Sequence, residues 1–219
     1  MDALNKLMEY FAEFPGIGPR QARRFAYFLL TKNPGYTEEL SRLIIEIRKN
    51  VHICSSCFRF FTAKFSVASA VTGASSAAGP TLCSICADSS RDHSELMIVA
   101  RDVDLESIEK SRFYRGLYFV LGGTVPILEK NPETRIRSRE LIKRIEKDTS
   151  LDLKEIILSL NATPEGEHTV DVLRAMLRPV IEKAGRNIKI SILGRGLSTG
   201  SELEYSDSDT IQNALKNRF

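Results

Sequence analysis

A chain of 219 residues is long enough to bury a real core and to hold one large domain or two or three small ones. No apolar run approaches the ~20 residues that a membrane-spanning helix needs, and the opening Met1-Asp2-Ala3 has neither a basic n-region nor an apolar h-region, so a soluble cytoplasmic protein is expected. The net charge of +3 permits nucleic-acid binding without demanding it, and 8% aromatic residues with no Trp argue against a stacking platform for single-stranded bases.

From Asp2 to Ala12 the apolar residues Leu4, Leu7, Met8 and Phe11 recur at i, i+3, i+4 and i+7, which predicts an amphipathic helix ending at Phe14-Pro15. Pro15-Gly16-Ile17-Gly18-Pro19-Arg20 follows. Two glycines around one apolar residue allow a hairpin with positive φ and bare backbone N–H groups at the surface, and Pro19 suits the first turn of a second helix. In that helix Ala22, Phe25, Ala26 and Leu29 form the buried face, while Arg20, Arg23 and Arg24 share another. Helix, glycine hairpin and basic helix start make a phosphate cradle, a helix-hairpin-helix element whose candidate DNA-binding residues are Gly16, Gly18, Arg20, Arg23 and Arg24. The alternative is an ordinary pair of helices with solvated arginines. It leaves Gly16 and Gly18 with no use beyond an unusual backbone. Contacts to phosphate bring affinity without preference for base sequence.

Asn33-Pro34-Gly35 predicts a turn and Thr37 the cap of a third helix, with Glu38 and Glu39 in its first turn, Arg48 and Lys49 in its last, and Leu40, Leu43, Ile44 and Ile47 facing inward. All 4 cysteines then come as two pairs, Cys54-Ser-Ser-Cys57 and Cys83-Ser-Ile-Cys86. Two residues between thiols make a tight knuckle that aims both sulfurs at one ion, and two knuckles complete a tetrahedral thiolate shell. The expectation is therefore one structural Zn2+ per chain, held by Cys54, Cys57, Cys83 and Cys86; two disulfides or four unrelated buried thiols are the alternatives. Four thiolates fill the shell, which leaves His52 as a packing or surface residue. Between the knuckles, Phe58, Phe60, Phe61 and Phe65 give way to the small residues of Ser66 to Gly79, expected to form a mobile loop.

Beyond Cys86 the pattern alternates. Strands are predicted at Leu96 to Val99, Tyr118 to Leu121, Glu155 to Leu160 and Ile188 to Ile192, with helices over Asp104 to Lys110, Arg137 to Lys147 and Glu165 to Lys183 between them. Such alternation implies a mostly parallel sheet covered by helices on both sides, with functional residues at the carboxyl ends of strands. Two loops sit there, Ala100-Arg101-Asp102 and Asn161 to Glu167. A glycine-bearing turn, Gly194 to Gly200, leads to Glu202-Leu203-Glu204-Tyr205 and a short helix from Asp209 to Lys216.

FPGIGPRQARR, the paired knuckles, YFVLGG followed by Pro126, and NATPEGEHT leading to GRGLSTGSELEY stand in one order, and together they resemble the bacterial recombination mediator family RecR over essentially the whole chain. The resemblance implies a multidomain α/β protein: a helix-hairpin-helix region at 1–52, a four-cysteine zinc finger at 53–90, a Toprim domain at 91–193 and a Walker B-like C-terminal region at 194–219. It implies a homo-oligomer, most often a dimer or a ring-shaped tetramer around DNA. It also implies work with the partners RecO and RecF in loading recombinase onto gapped DNA during repair. The family's basic DNA contacts fall on Arg20 and Arg24, with arginine at 20 where the family often has lysine. The segment between knuckles is longer than usual and looks like an insertion, and Ser198 and Ser201 stand where proline and glycine are common.

Catalytic Toprim domains gather Mg2+ with a glutamate after the first strand and an Asp-x-Asp after a later one. The corresponding positions here are Ala100, Asn161 and Thr163, and only Glu165 and Glu167 remain of the acidic run. This favours a mediator over a Mg2+-dependent Toprim nuclease or topoisomerase-like enzyme; a zinc-bearing scaffold that binds proteins only is the third class. Glu165 and Glu167 are either plain helix starts, worth about 0.3 to 1 kcal/mol each, or a partner-binding surface.

Overall fold

The computed structural model describes residues 2–62, 81–149, 152–194, 196–197, 200 and 202–217. The inter-knuckle run Ser66 to Gly79 and the departures at Ser198 and Ser201 lie outside the described residues. The chain packs as two compact units, residues 1–51 and 52–219.

The first unit is helical. Helix α1 (Ala3–Ala12) is capped by Asp2, whose carboxylate accepts from the Leu4 N–H, and its half-buried residues are the predicted Leu4, Leu7, Met8 and Phe11. They meet α2 (Pro19–Leu30), where Ala22 and Ala26 are fully buried and Phe25 stands edge-on to Phe11 at 6.0 Å. Alanine at two successive turns of α2 removes the bulk that would hold the helices apart, so the backbones approach closely. Between them only Gly16 needs a left-handed backbone, at φ +78. Gly18 differs from expectation: it is extended, at φ −86 and ψ 171, a conformation open to any residue.

Helix α3 (Pro34–Asn50) also differs at its start. Asn33 caps it, accepting from the Tyr36 N–H at 2.9 Å with Pro34 in the first turn, while Thr37 sits inside the helix and donates its hydroxyl to the Pro34 carbonyl. Asn before Pro wins because the asparagine side chain reaches the free N–H groups and proline has none to satisfy. Edge-on packing of Phe28 and Tyr36, with the Lys32 ammonium 4.4 Å over Phe28, joins α2 to α3. The inward-facing reading of α3 is corrected: Leu43, Ile44 and Ile47 are 46%, 59% and 61% exposed, and only Leu40 is half-buried. Periodicity marks an apolar face; it does not say what covers it.

The second unit is built on a sheet of four parallel strands in the order β4-β3-β5-β6. These are β3 (Asp92–Val99), β4 (Gly116–Val120), β5 (Glu155–Ser159) and β6 (Lys189–Ile192). Crossovers run through α5 (Asp102–Ser111), α6 (Ser138–Thr149) and α7 (Pro164–Lys183), as strands of one direction require. Successive side chains of β3 go to opposite faces, and both faces are buried. Leu96 and Ile98 join Leu117, Phe119, Ile156 and Leu158 under α6 and α7, through Leu141, Ile145, Leu173 and Leu177. Met97 and Val99 join Tyr118 and Val120 under Leu105 of α5 on the other face. Each of these fully buried large side chains contributes about 1.5 to 3 kcal/mol.

The second face is completed by the cysteines. Strands β1 (Val51–Ile53) and β2 (Phe60–Thr62) pair around the first knuckle, and the one-turn helix α4 (Ser84–Ala87) carries the second. Cys54, Cys57, Cys83, Phe61 and Ile85 pack against Met97, Val99 and Tyr118. The knuckle also closes the edge of the sheet: the Val120 N–H donates to the Cys57 carbonyl at 2.8 Å, so the outer strand does not offer that group to another chain. The C-terminal segment ends in α8 (Ser208–Lys216), capped by Asp207. No helix of the described residues is long and apolar enough to cross a membrane.

Candidate metal centre and nucleic-acid interface

The two CxxC turns bring all four thiols to one point, with every Sγ within 4.8 Å of the others and Cys57 Sγ 3.6 Å from Cys83 Sγ. Zinc–sulfur bonds of ~2.3 Å in a tetrahedron put the sulfurs about 3.8 Å apart, whereas a disulfide needs ~2.05 Å. All four cysteines are unbridged. The donor set therefore fits a tetrahedral metal ion, and neither disulfides nor scattered thiols describe it. Cys54, Cys57 and Cys83 are fully buried and Cys86 is half-buried.

Local bonds make the shell rigid. The Cys83 N–H donates to Cys54 Sγ at 3.4 Å, and both the N–H and the hydroxyl of Ser55 donate to the Thr81 carbonyl, at 2.8 and 2.9 Å. Phe58 leaves the first knuckle at φ +62 and packs on Phe119 at 5.4 Å. Hydrogen bonds from Cys57, Cys83 and Cys86 pull the Cys54 thiol far below its ordinary value. The same sharing with Cys54 pushes Cys57 and Cys86 up. A divalent cation displaces the thiol protons as it binds. His52 is half-buried, its ring 6.1 Å from that of Phe61, and it stands outside the cluster.

In the hairpin of the first unit, Arg20, Arg23 and Arg24 are all exposed along one face of α2. Arg24 reaches the Gln21 side chain at 3.4 Å. No side chain caps the start of α2. Gly18 occupies the cap position, where Ser, Thr, Asp or Asn would satisfy a free N–H, and a Cβ built there meets nothing within 4 Å. Nothing among the described residues requires glycine at 18.

At the carboxyl ends of β3 and β5, Ala100 is buried and Asn161 and Thr163 stand exposed. Thr163 caps α7, accepting from the Gly166 N–H at 3.2 Å. Gly166 is sterically enforced, because a Cβ would lie 2.0 Å from the Asn161 carbonyl oxygen. Glu165 accepts from the Thr124 hydroxyl at 3.4 Å, and buried Thr169 links the Glu165 carbonyl to the Val125 N–H. Glu165 and Glu167 open α7 on its exposed side. Among the described residues the only such gathering of three or more His, Cys, Asp or Glu ligand atoms is the cysteine cluster.

Two residues that the sequence did not single out stand around the metal site, Arg144 at the first knuckle and Asp148 beside Arg144. Arg144 donates to the Ser56 hydroxyl inside the first knuckle and to Asp148. The only signal for them was an Arg/Asp pair at i, i+4, which is ordinary on any helix surface.

Comparison with known proteins gives three matches along the chain: a RecR helix-hairpin-helix model over residues 4–48, a Toprim domain model over 94–193 and a RecR C-terminal model over 196–218. A recombination protein RecR from Bifidobacterium longum subsp. infantis is 34% identical over 216 residues, covering 99% of this chain and 95% of its own. The RecR of Desulforudis audaxviator is likewise 34% identical, with 99% and 96% covered. This chain belongs to the RecR family. A third RecR, from Bdellovibrio bacteriovorus, is 32% identical and spans all of this chain. The hairpin lies within the RecR helix-hairpin-helix match and the parallel sheet falls on the Toprim match, the four-cysteine cluster stands between these two matches in sequence, and α8 falls in the RecR C-terminal match.

Proposed function

We propose that this RecR-family chain is a DNA-binding recombination mediator of the cytoplasm, without catalysis of its own, that acts with RecO- and RecF-type partners to load recombinase onto gapped DNA. The observation that carries it is Gly18: a glycine in ordinary backbone, with free space around it, at the uncapped start of a helix flanked by exposed Arg20, Arg23 and Arg24. Glycine there serves an outside group that approaches the backbone, and the helix start and arginines make that group a phosphate. The Toprim sheet supports binding over catalysis, since Ala100 offers no ligand and Asn161 and Thr163 lack the charge that holds Mg2+.

The metal is Zn2+, one per chain and structural, because four thiolates leave no open position for water or substrate. The working division is a DNA-binding region at 1–52, a zinc finger at 53–90, a Toprim domain at 91–193 and a C-terminal region beyond. Glu165 and Glu167 form the partner-facing surface. A single hairpin makes few phosphate contacts, so DNA is held by a homo-oligomer, a tetramer at working concentration, that repeats the hairpin.

DNA affinity measured across a salt series tests this. Arg20→Ala with Arg24→Ala should weaken binding and lower the salt slope by about 2, with assembly unchanged by sedimentation. A double variant that binds like the parent removes the hairpin as the DNA site. Plasmid cleavage or relaxation with Mg2+, lost on changing Glu165 and Glu167, would establish the enzymatic alternative instead.

A further inference from the structure

Arg144 is a cation with an unusual address. Its side chain on α6 is only 8% exposed, in a position where a helix pairing an arginine with Asp148 one turn on would ordinarily leave both in water. Nε donates to Asp148 Oδ2 at 2.5 Å, and Nη1 donates to the hydroxyl of Ser56, one of the two residues between the first pair of thiols. The guanidinium thus bonds α6 to the first knuckle, and it lines the same cleft as Cys86 of the second.

The charge of the site explains why a cation belongs there. Four thiolates around a divalent ion leave a net charge of −2 in a nearly water-free place, and such a charge is costly without hydrogen-bond donors and a counter-ion. Cys86 is the half-buried sulfur, and it lines a cleft of about 470 Å³ together with Ser56, Lys143 and Arg144. Among the described residues this cleft is the route that a competing chelator or an alkylating agent would take to Cys86. Asp148, itself buried, fixes the plane of the guanidinium. A lysine could bring the charge, but not the flat fork that addresses several partners in fixed directions.

We propose that Arg144 is the positioning residue of the metal site: it locks the Cys54–Cys57 turn through Ser56, sets its charge in the cleft that Cys86 lines, and so slows loss of the metal through that half-buried ligand. The inference rests on the zinc reading above. The full-length protein as purified is the material, and its metal content is measured first. Metal transfer to a chromogenic chelator is then timed below the melting transition, and the order of cysteine alkylation is read by mass spectrometry. Arg144→Met should release metal at least about tenfold faster, the usual scale for losing an outer-shell partner, with Cys86 modified first. Arg144→Lys should fall between Met and the parent, and Ser56→Ala should speed release a few-fold.

A parent-like release rate and alkylation order in folded Arg144→Met overturns the proposal while leaving the metal reading intact. So does equal release by the Met and Lys variants, which would make side-chain volume rather than charge the cause. If the Met variant does not fold, Arg144→Lys and Ser56→Ala decide, and parent-like release in both overturns it. A parent chain that carries no metal overturns the zinc reading and this inference together.

Discussion

Residues 1–51 and 52–219 use apolar sequence in opposite ways. The first unit buries only Ala22 and Ala26 among its described residues, and leaves Tyr27, Phe28, Leu43, Ile44, Ile45 and Ile47 between 46% and 61% exposed. The second buries both faces of its sheet and closes one sheet edge with a cysteine knuckle. Small units bury a smaller share of their surface, but size alone does not leave a run of isoleucines in water. The contrast is that the apolar residues of the second unit cover one another, whereas most of those in the first stand open among the described residues, in keeping with the proposed DNA contact and assembly.

The sharpest way to break this contrast is through the metal. Cys83→Ser, or chelation of the parent, should cost the second unit on the order of 5 kcal/mol, a fraction of what structural zinc supplies. Hydrogen exchange would read it, and protection should fall in β4, whose Val120 N–H is held by Cys57, while α1 and α2 keep theirs. Equal loss in both units would show that they are not separately stabilised. Next in size is a core deletion. Phe119→Ala should cost about 3 to 5 kcal/mol by chemical denaturation, since its side chain is fully buried against α6 and Phe58.

A third test uses pH. Glu109 of α5 holds Arg91 by two bonds, at 2.6 and 2.9 Å, with side chains 26% and 16% exposed. Burial alone would raise the Glu109 pKa, but the Arg91 guanidinium overcomes it and the net shift is downward. A carboxylate lowered on folding adds stability above its unfolded pKa of ~4.3, and that stability disappears as pH falls through the lower folded value. Glu109→Gln should therefore cost about 1 to 3 kcal/mol at neutral pH and remove this part of the acid dependence. A variant whose loss is the same at pH 3 as at pH 7 would mean the charge contributes nothing.

The smallest expected effect is the most telling for the first unit. Ile44→Ala should change the stability of an isolated chain by less than about 0.5 kcal/mol, as at any open surface position, yet Ile44→Glu with Ile47→Glu should dissociate the proposed homo-oligomer in sedimentation. A large stability loss in dilute, monomeric Ile44→Ala would show that this face is covered from within.

Much of the molecule was legible because its signals are local. The stripe of α1, the buried alanines of α2, the alternation of strands and helices and the paired CxxC knuckles each lie within a few residues of sequence, where helical or strand period and ligand spacing act directly. Ala100, Asn161 and Thr163 could be set against the catalytic Toprim positions only through the family resemblance. The cap at Asn33 was a misjudged competition between two residues four apart, each able to start a helix. What the sequence could not disclose is whatever joins distant segments. Leu43, Ile44 and Ile47 carry a proper helical period, but the company a face keeps is decided by what packs over it. The Val120 N–H meets the Cys57 carbonyl only after β4 takes the sheet edge. Arg144 reaches Ser56 across 88 positions of chain. Helical period follows from the backbone alone, while the burial of one guanidinium beside a thiolate site depends on how sheet, helix and knuckle come together, and only the tertiary structure decides that.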